Sequence, residues 1–562
     1  MVDVAVSAPP KRGTAWSVET NPKYTRAWLD SLAPLNNLES ARELYQGLYA
    51  LNRSTLDPTA RLELMQLYRD SVRTAGQSLG GAFTRVTFPL SEKLRRLALS
   101  LCQLHVEMAA GYKLSLQDLS RSWLTPWRRR QALVLGAERT LYHLTEVLLR
   151  CYQLYLPYPA GVWRDAHALF SLTALHGRQD EPVKTEEDRG AITISVSQRY
   201  RRMLLLGAAN PYQMPYGECA TVQRFLGRWI DQVRIALPEA RTDGSGCFLV
   251  DGAADAPPVP LGRRVPSSGT NVLRLVDASE LVRTLHVFLR RLEKGEPAAE
   301  MKLGIDGLDS ACHDMLQRLH RMYAQVATRR HSRIKRNETV MICAGIGALH
   351  FFAGGQQSAP PVTEHDVVTE IAEAHSGDAA SDVADDADYI ALDDPVPEPT
   401  KPAARGPALE SFRVDRWQVR DVSPQGLLLC QDSEARVRFR IGDVLGIQRT
   451  NLPGHWSIGL VRWFKGHGET GIDVGVELIA PAAVAASIRP VAEGESSSAA
   501  LLLPAVEAAH RPATILIGRG VVEVGKDCYL TGTDSSTRRV RVLDAIEHTN
   551  SVEQIVVGTV IE

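Results

Sequence analysis

Arg329-Arg330-His331-Ser332-Arg333 and, 88 positions beyond its last arginine, Asp421-Val422-Ser423-Pro424-Gln425-Gly426 are the two stretches around which this chain is organised. The first reads as a flexible basic hinge between a helical and a strand pattern. The second sits where one strand pattern ends and another begins. Arginines at i and i+4 beside a sheet can wrap a compact dianion, because their planar forks match phosphate oxygens and the O6/N7 edge of guanine. An Asp and a Ser two apart on a strand point to one face. There the carboxylate can accept from guanine N1–H and N2–H, and the hydroxyl completes the set. A glycine after them permits a tight turn or the close approach of a ligand. An anionic guanine dinucleotide satisfies all of these groups.

Downstream of the hinge, Val340-Met341-Ile342-Cys343 is a short apolar strand. Residues 355–408 then turn Pro-, Ala- and Ser-rich, and positions 361–400 hold a dozen acidic residues with no Lys or Arg. That composition predicts a disordered acidic insertion. Strand patterns resume at Arg416–Val422, Leu427–Cys430, Val437–Ile441, Val444–Arg449, Ser457–Phe464 and Val474–Leu478. Short strands at this density predict a small barrel or sandwich. Residues 483–512 read as an Ala-rich linker. A last group (Thr514–Ile517, Gly520–Val524, Asp527–Thr531, Arg539–Leu543, Val552–Ile561) forms a β extension at 513–562, either widening the barrel or standing as a separate module.

Upstream, the pattern is helical. Asp57-Pro58 is a helix start, an N-cap acceptor followed by a proline whose missing N–H costs nothing there. Leu62, Met65, Tyr68, Val72, Ala75 and Leu79 recur at helical spacing up to Gly80-Gly81. Further helices are expected from Pro89 through Met108, over Arg130–Leu156, Val162–His176, Val222–Ile235 and Ser279–Lys294, and through Leu308, Cys312, Met315, Leu319, Met322 and Val326 into the hinge. Ser197 is a candidate cap, and Cys247–Val250 with Val272–Leu275 predicts a short hairpin. The tyrosines of these helices (45, 49, 142, 152, 155) read as core packing before a ligand groove. The expected units are a disordered, polar N-terminus (1–23), a helical domain (24–180), a second mainly helical domain (181–328), and a barrel from 329–354 and 409–482.

Composition excludes several classes. The net charge of −1 over 562 residues gives no global field for nucleic acid or a membrane. The eight cysteines include no CxxC pair and no Cys/His cluster at zinc spacing, so reduced buried thiols in a cytoplasmic protein are expected, with no metal site. No apolar run is long enough for a signal peptide or a membrane span. No P-loop, GxSxG elbow, HExxH or dinucleotide fingerprint is present, and no GGDEF or EAL stretch; the reading is non-enzymatic, with no cofactor.

Taken in order, the two stretches resemble the halves of a PilZ domain, a small bacterial β-barrel that binds cyclic di-GMP. Such domains open with RxxxR, carry D/N-x-S-x-x-G, and close with strands like the Val461-Arg462-Trp463 and Gly475-Val476-Glu477-Leu478 found here. The resemblance implies that Arg329, Arg330 and Arg333 hold phosphates and guanine edges, that Asp421 and Ser423 contact a guanine, and that Gly426 is the structural glycine. The 88-residue spacing exceeds the family's usual few tens, and the acidic insertion accounts for the excess, since loop-closure cost grows only logarithmically. Arg416 and Arg420 also fit RxxxR but lie within a strand. Either stretch alone has a plainer reading, a solvated helix end or ordinary turn chemistry. Together they imply a cyclic di-GMP effector whose nucleotide binding reorients a helical platform for a protein partner. The alternative is an adaptor whose PilZ-like barrel binds no nucleotide.

Overall fold

In the computed structural model the described residues are 18–32, 37–83, 86–119, 126–187, 190–238, 244–261, 273–303, 309–324, 333–354, 412–432, 437–467, 471–491, 496–506 and 511–560. They fall into two compact units. One is drawn from Met1–Arg85 and Glu92–Arg329, the other from Val86–Ser91 and the described chain beyond Arg330. The insertion at 355–408 and most of the 1–23 segment lie outside the described residues.

The first unit is mainly helical. Pro58–Gly80 starts where the sequence requires: the Asp57 carboxylate accepts from the Thr59 and Ala60 N–H groups, and the proline takes the first turn. Its stripe of Leu64, Met65, Tyr68, Val72 and Leu79 is buried against Asn37–Arg53 and Glu92–Leu119, the latter paired antiparallel with Pro126–Gln153. Val162–Leu175, Val196–Ala208, Glu218–Trp229, Ser279–Glu293 and Asp309–Ala324 complete the helical layer. The cap of Val196–Ala208 is Ser195, in a capping box with Gln198, two residues before the expected Ser197. Of the five tyrosines expected in the core, Tyr45, Tyr152 and Tyr155 are buried, whereas Tyr49 and Tyr142 are only half-buried.

Two small sheets interrupt the helices. The expected hairpin exists as Cys247–Asp251 paired with Leu273–Asp277, but Arg234–Ala236 and Val259–Pro260 widen it to four strands. A second hairpin, Val183–Glu187 with Gly190–Ile194, has a polar sequence without a strand signature. Buried charge fastens it: Arg69 donates to Thr185 Oγ1 (2.7 Å) and the Glu186 carbonyl (2.9 Å), and Arg199 bridges Glu138 and Glu187.

The second unit holds two closed six-stranded barrels. The first comprises β1 (Ile334–Ala344), β2 (Asp415–Ser423), β3 (Gly426–Gln431), β4 (Val444–Arg449), β5 (Trp456–His467) and β6 (Gly471–Ala480), hydrogen-bonded in the order β4-β5-β6-β3-β2-β1. The second comprises β7 (Val484–Pro490), β8 (Ser498–Leu503), β9 (Thr514–Gly518), β10 (Asp527–Thr531), β11 (Thr537–His548) and β12 (Val552–Thr559), in the order β7-β8-β9-β12-β11-β10. Closure leaves neither barrel a free edge. Helix Ile346–Ala353 packs between them, where Leu349 and Trp456 share a core with Leu501, Leu503, Leu516 and Val552.

Three sequence expectations change. Residues 483–512 are no linker, because they supply β7 and β8. Their alternation is invisible since both strand faces are covered: Ala500 packs into its own barrel while Leu501 and Leu503 face the other. The 513–562 extension therefore supplies four of the six strands of a separate barrel. Val437–Ile441 is not a strand of the sheet; instead Phe439 exchanges backbone hydrogen bonds with Phe88 (3.0 and 2.9 Å). Phe88 also packs its ring on Phe464 and is 1% exposed, so a segment from within the helical half of the sequence joins the first barrel's Trp417–Phe439–Phe464 aromatic cluster. Gly520–Val524 is a turn, not a strand.

Candidate functional site

Arg333 is the residue immediately before β1. Register places Ile334 opposite Val422 and Lys335 opposite Asp421, so the end of the basic stretch is carried onto the Asp-x-Ser segment of β2. Arg333 Nη1 donates to both carboxylate oxygens of Asp421, at 3.2 and 3.3 Å. The arginine side chain is 47% exposed and the carboxylate 19%. Lys335 and Arg336 follow it, also exposed. Arg329 and Arg330 lie outside the described residues.

A break in the strand explains why Asp421 reaches the surface. Along β2, Asp415, Trp417 and Val419 are buried and Arg416, Gln418 and Arg420 exposed. Continued alternation would bury position 421 as well. Between Val419 and Asp421, however, the register against β3 shifts by one residue, and the pairing with β1 is irregular at the same level. Arg420 is the extra residue. A bulge of this kind resets which face the following side chains take.

Ser423 and Gly426 are paired across the two-residue Pro424-Gln425 turn, and Ser423 Oγ donates to the Gly426 carbonyl at 3.2 Å. The glycine is required by β6: a Cβ at 426 would lie 2.6 Å from the Val476 carbonyl oxygen. What approaches Gly426 closely is thus a neighbouring strand. Leu478 N–H donates to Gln425 O (3.0 Å), which anchors the turn to the same strand.

The closing motif has a role that the sequence did not disclose. Arg462 occupies a bulge between the Val461–Val476 and Trp463–Gly475 pairs. Its guanidinium donates to Glu477 on β6 (2.8 Å) and, by two bonds, to Glu547 on β11 (3.0 and 2.9 Å). Burial works against its charge, and the two carboxylates outweigh burial to hold it protonated. The motif arginine therefore ties the two barrels together. Only the fold brings Glu547 within its reach. Of the second RxxxR candidate, Arg420 engages Asp473 (3.4 Å) and His467 (3.2 Å).

This arrangement gives an exposed rim with cationic side chains on β1, a carboxylate and a hydroxyl on β2, and a backbone turn fixed from behind. Such a rim can accept an anionic ligand with donor edges of its own.

Residues 23–240 match the family described as "Cyclic-di-GMP receptor FimW, N-terminal domain". Residues 247–484 match "Cyclic-di-GMP receptor FimW, middle PilZ domain", and residues 484–556 match "FimW C-terminal beta-barrel domain". A curated relative, the cyclic-di-GMP receptor FimW of Pseudomonas aeruginosa, is 30% identical over 526 residues, covering 89% of this chain and 84% of the relative. No solved structure matches the chain. Among the described residues, no helix is long and apolar enough to cross a membrane.

Proposed function

The chain belongs to the FimW family of cyclic-di-GMP receptors, and from that premise we propose that it is a cytoplasmic, non-catalytic receptor for cyclic di-GMP. In this reading the nucleotide binds on the β1–β2 face of the first barrel. Arg333, with Arg329 and Arg330 upstream of it, takes the phosphates and a guanine edge; Asp421 and Ser423 take the Watson–Crick edge of a guanine. Gly426 serves the site indirectly, by letting the β2–β3 turn lie against β6.

The observation that carries the proposal is the meeting of Arg333 and Asp421. The two motifs are 88 residues apart in sequence, and their side chains stand within hydrogen-bond distance on one exposed face. Three crowded arginines repel one another, and a dianion relieves that repulsion on binding. Relief at the start of β1 biases the helical unit that precedes it and exposes or hides a surface for a protein partner.

The same contact favours a second reading, in which the pair is only a clasp between β1 and β2 and the protein is an adaptor without nucleotide. Calorimetric titration of cyclic di-GMP into the full chain, with GTP and cyclic di-AMP as controls, separates the two. Selective micromolar binding that Arg333→Ala removes supports the receptor. No heat and no thermal shift at saturating nucleotide leaves the adaptor.

A further inference from the structure

We propose that the end of the first barrel opposite in sequence to the basic stretch carries a site for a borderline-soft divalent cation such as Zn²⁺, formed by Cys430, Asp432 and His467. Nothing in the local sequence announces it, since the cysteine and the histidine are 37 positions apart. The antiparallel pairing brings them together: Cys430 near the end of β3, Asp432 just past it, and His467 as the last residue of β5.

Three different donor atoms converge. His467 Nε2 lies 2.9 Å from Asp432 Oδ1 and 3.7 Å from Cys430 Sγ, and the sulfur lies 3.4 Å from the same carboxylate oxygen. For bonds of roughly 2.0 Å to nitrogen and oxygen and roughly 2.3 Å to sulfur, the edges of a tetrahedron are about 3.3–3.5 Å. The observed triangle needs only small side-chain adjustments to take an ion at its centre. One thiolate, one carboxylate and one neutral imidazole would balance the charge of a divalent ion and leave a fourth position for water. Sulfur and imidazole together select zinc-like ions over Mg²⁺ or Ca²⁺.

Two further observations are independent of the triangle. Asp473 Oδ1, on β6, stands 3.3 Å from His467 Nδ1, the ring nitrogen that faces away from the three donors. The two atoms are close but not hydrogen-bonded as they stand; a small turn of the ring would make that bond, the usual support of a metal-binding histidine, which leaves Nε2 as the ligand. Gly471, paired with His467 in register, supplies the floor: a Cβ there would come 2.3 Å from His467 Nε2, so any other residue would push the ring away.

At present a cation of the protein itself occupies the place. Arg420 Nη2 lies 3.2 Å from His467 Nε2 and 3.7 Å from Asp432, and Nη1 lies 3.4 Å from Asp473. Its side chain is 46% exposed and can swing into solvent, so an arriving ion replaces one positive charge with two.

The test uses the full chain, stripped with chelator and titrated with Co²⁺ in the absence of nucleotide. A single equivalent should bring in a thiolate-to-cobalt charge-transfer band with tetrahedral ligand-field bands, and Zn²⁺ should bleach both while Mg²⁺ does not. Cys430→Ser and His467→Gln should each abolish the charge-transfer band. Asp473→Asn should weaken binding by about 10–100-fold. Asp432→Asn alters an exposed side chain and is the variant least able to disturb folding; it should weaken binding at least tenfold with an unchanged circular dichroism spectrum. Absence of the band in the parent chain, or its survival in both Cys430→Ser and His467→Gln, overturns the site and leaves an arginine-centred polar cluster.

Discussion

Arg333 Nη1 stands 3.2 Å from Asp421 Oδ2, joining the residue before β1 to the segment just past the β2 bulge. Both groups are proposed to contact the nucleotide, and here each neutralises the other. On that proposal ligand binding would be an exchange, in which one exposed ion pair is replaced by contacts to phosphate and guanine. Because the arginine is nearly half exposed, the pair itself adds at most about 1 kcal/mol to folding.

That asymmetry gives the first prediction. Arg333→Ala and Asp421→Ala should each weaken cyclic di-GMP binding by about 10–100-fold, the scale of a lost hydrogen bond to a charged group. The urea midpoint should barely move. Calorimetry paired with urea unfolding checks both halves, and a variant that loses stability while keeping affinity would make the pair a clasp.

Gly426→Ala should lower stability by roughly 1–3 kcal/mol, since its Cβ would strike backbone that cannot rotate away. The readout is the denaturant midpoint. Unaltered stability would mean that β6 does not lie where Val476 is placed.

Arg462 and Glu547 link the barrels by two parallel hydrogen bonds. A double-mutant cycle with Arg462→Ala and Glu547→Gln should return a coupling of about 1 kcal/mol, discounted for the one-third exposure of each side chain. Additive effects would count against a link through these groups.

Acid should loosen the helical unit first at the Val183–Ile194 hairpin. Burial pushes the Glu187 carboxyl up, but Arg199 at 2.6 Å and Arg202 at 3.2 Å outweigh burial and bring it down to about 2. The folded-state value lies below the unfolded one, so the contribution is complete above about pH 4.5 and disappears as the pH falls towards about 2. It amounts to roughly 3 kcal/mol at most. Glu187→Gln should be less stable at neutral pH and show a shallower loss across that window; an equal slope for parent and variant would assign the acid sensitivity elsewhere.

The insertion at 355–408 offers carboxylates that can compete for the arginines. Deleting residues 360–405 should tighten nucleotide binding at low ionic strength and have little effect at high salt, where screening already suppresses the competition. Unchanged affinity at low salt removes that role.

Much of this fold is legible in the chain, for reasons that differ by element. Asp57-Pro58 and the apolar stripe to Leu79 mark a helix because one face is buried and the other wet. β2 is legible because Arg416, Gln418 and Arg420 alternate with buried residues. The Ala485–Ile488 and Ala500–Leu503 strands were lost to the same logic, since two covered faces leave no alternation. The polar Val183–Glu187 strand is held by arginines distant in sequence. At the candidate site, residue types and order singled out Asp421, Ser423 and Gly426 as candidates, but the bulge at Arg420 that turns Asp421 outward has no sequence signal. Cys430 and His467 needed the β3–β6–β5 pairing to meet.

The Phe88–Phe439 bridge has a practical and a temporal consequence. Family boundaries cut this chain near 240 and 484, yet a fragment trimmed to begin at 247 would lack the aromatic ring that packs on Phe464 of the first barrel. Expression of such a fragment asks the barrel to fold without the Phe88–Phe439 bridge and the ring contact with Phe464. During synthesis, Phe88 leaves the ribosome some 350 residues before its backbone partner Phe439. The part of the chain made early is completed by the part made late.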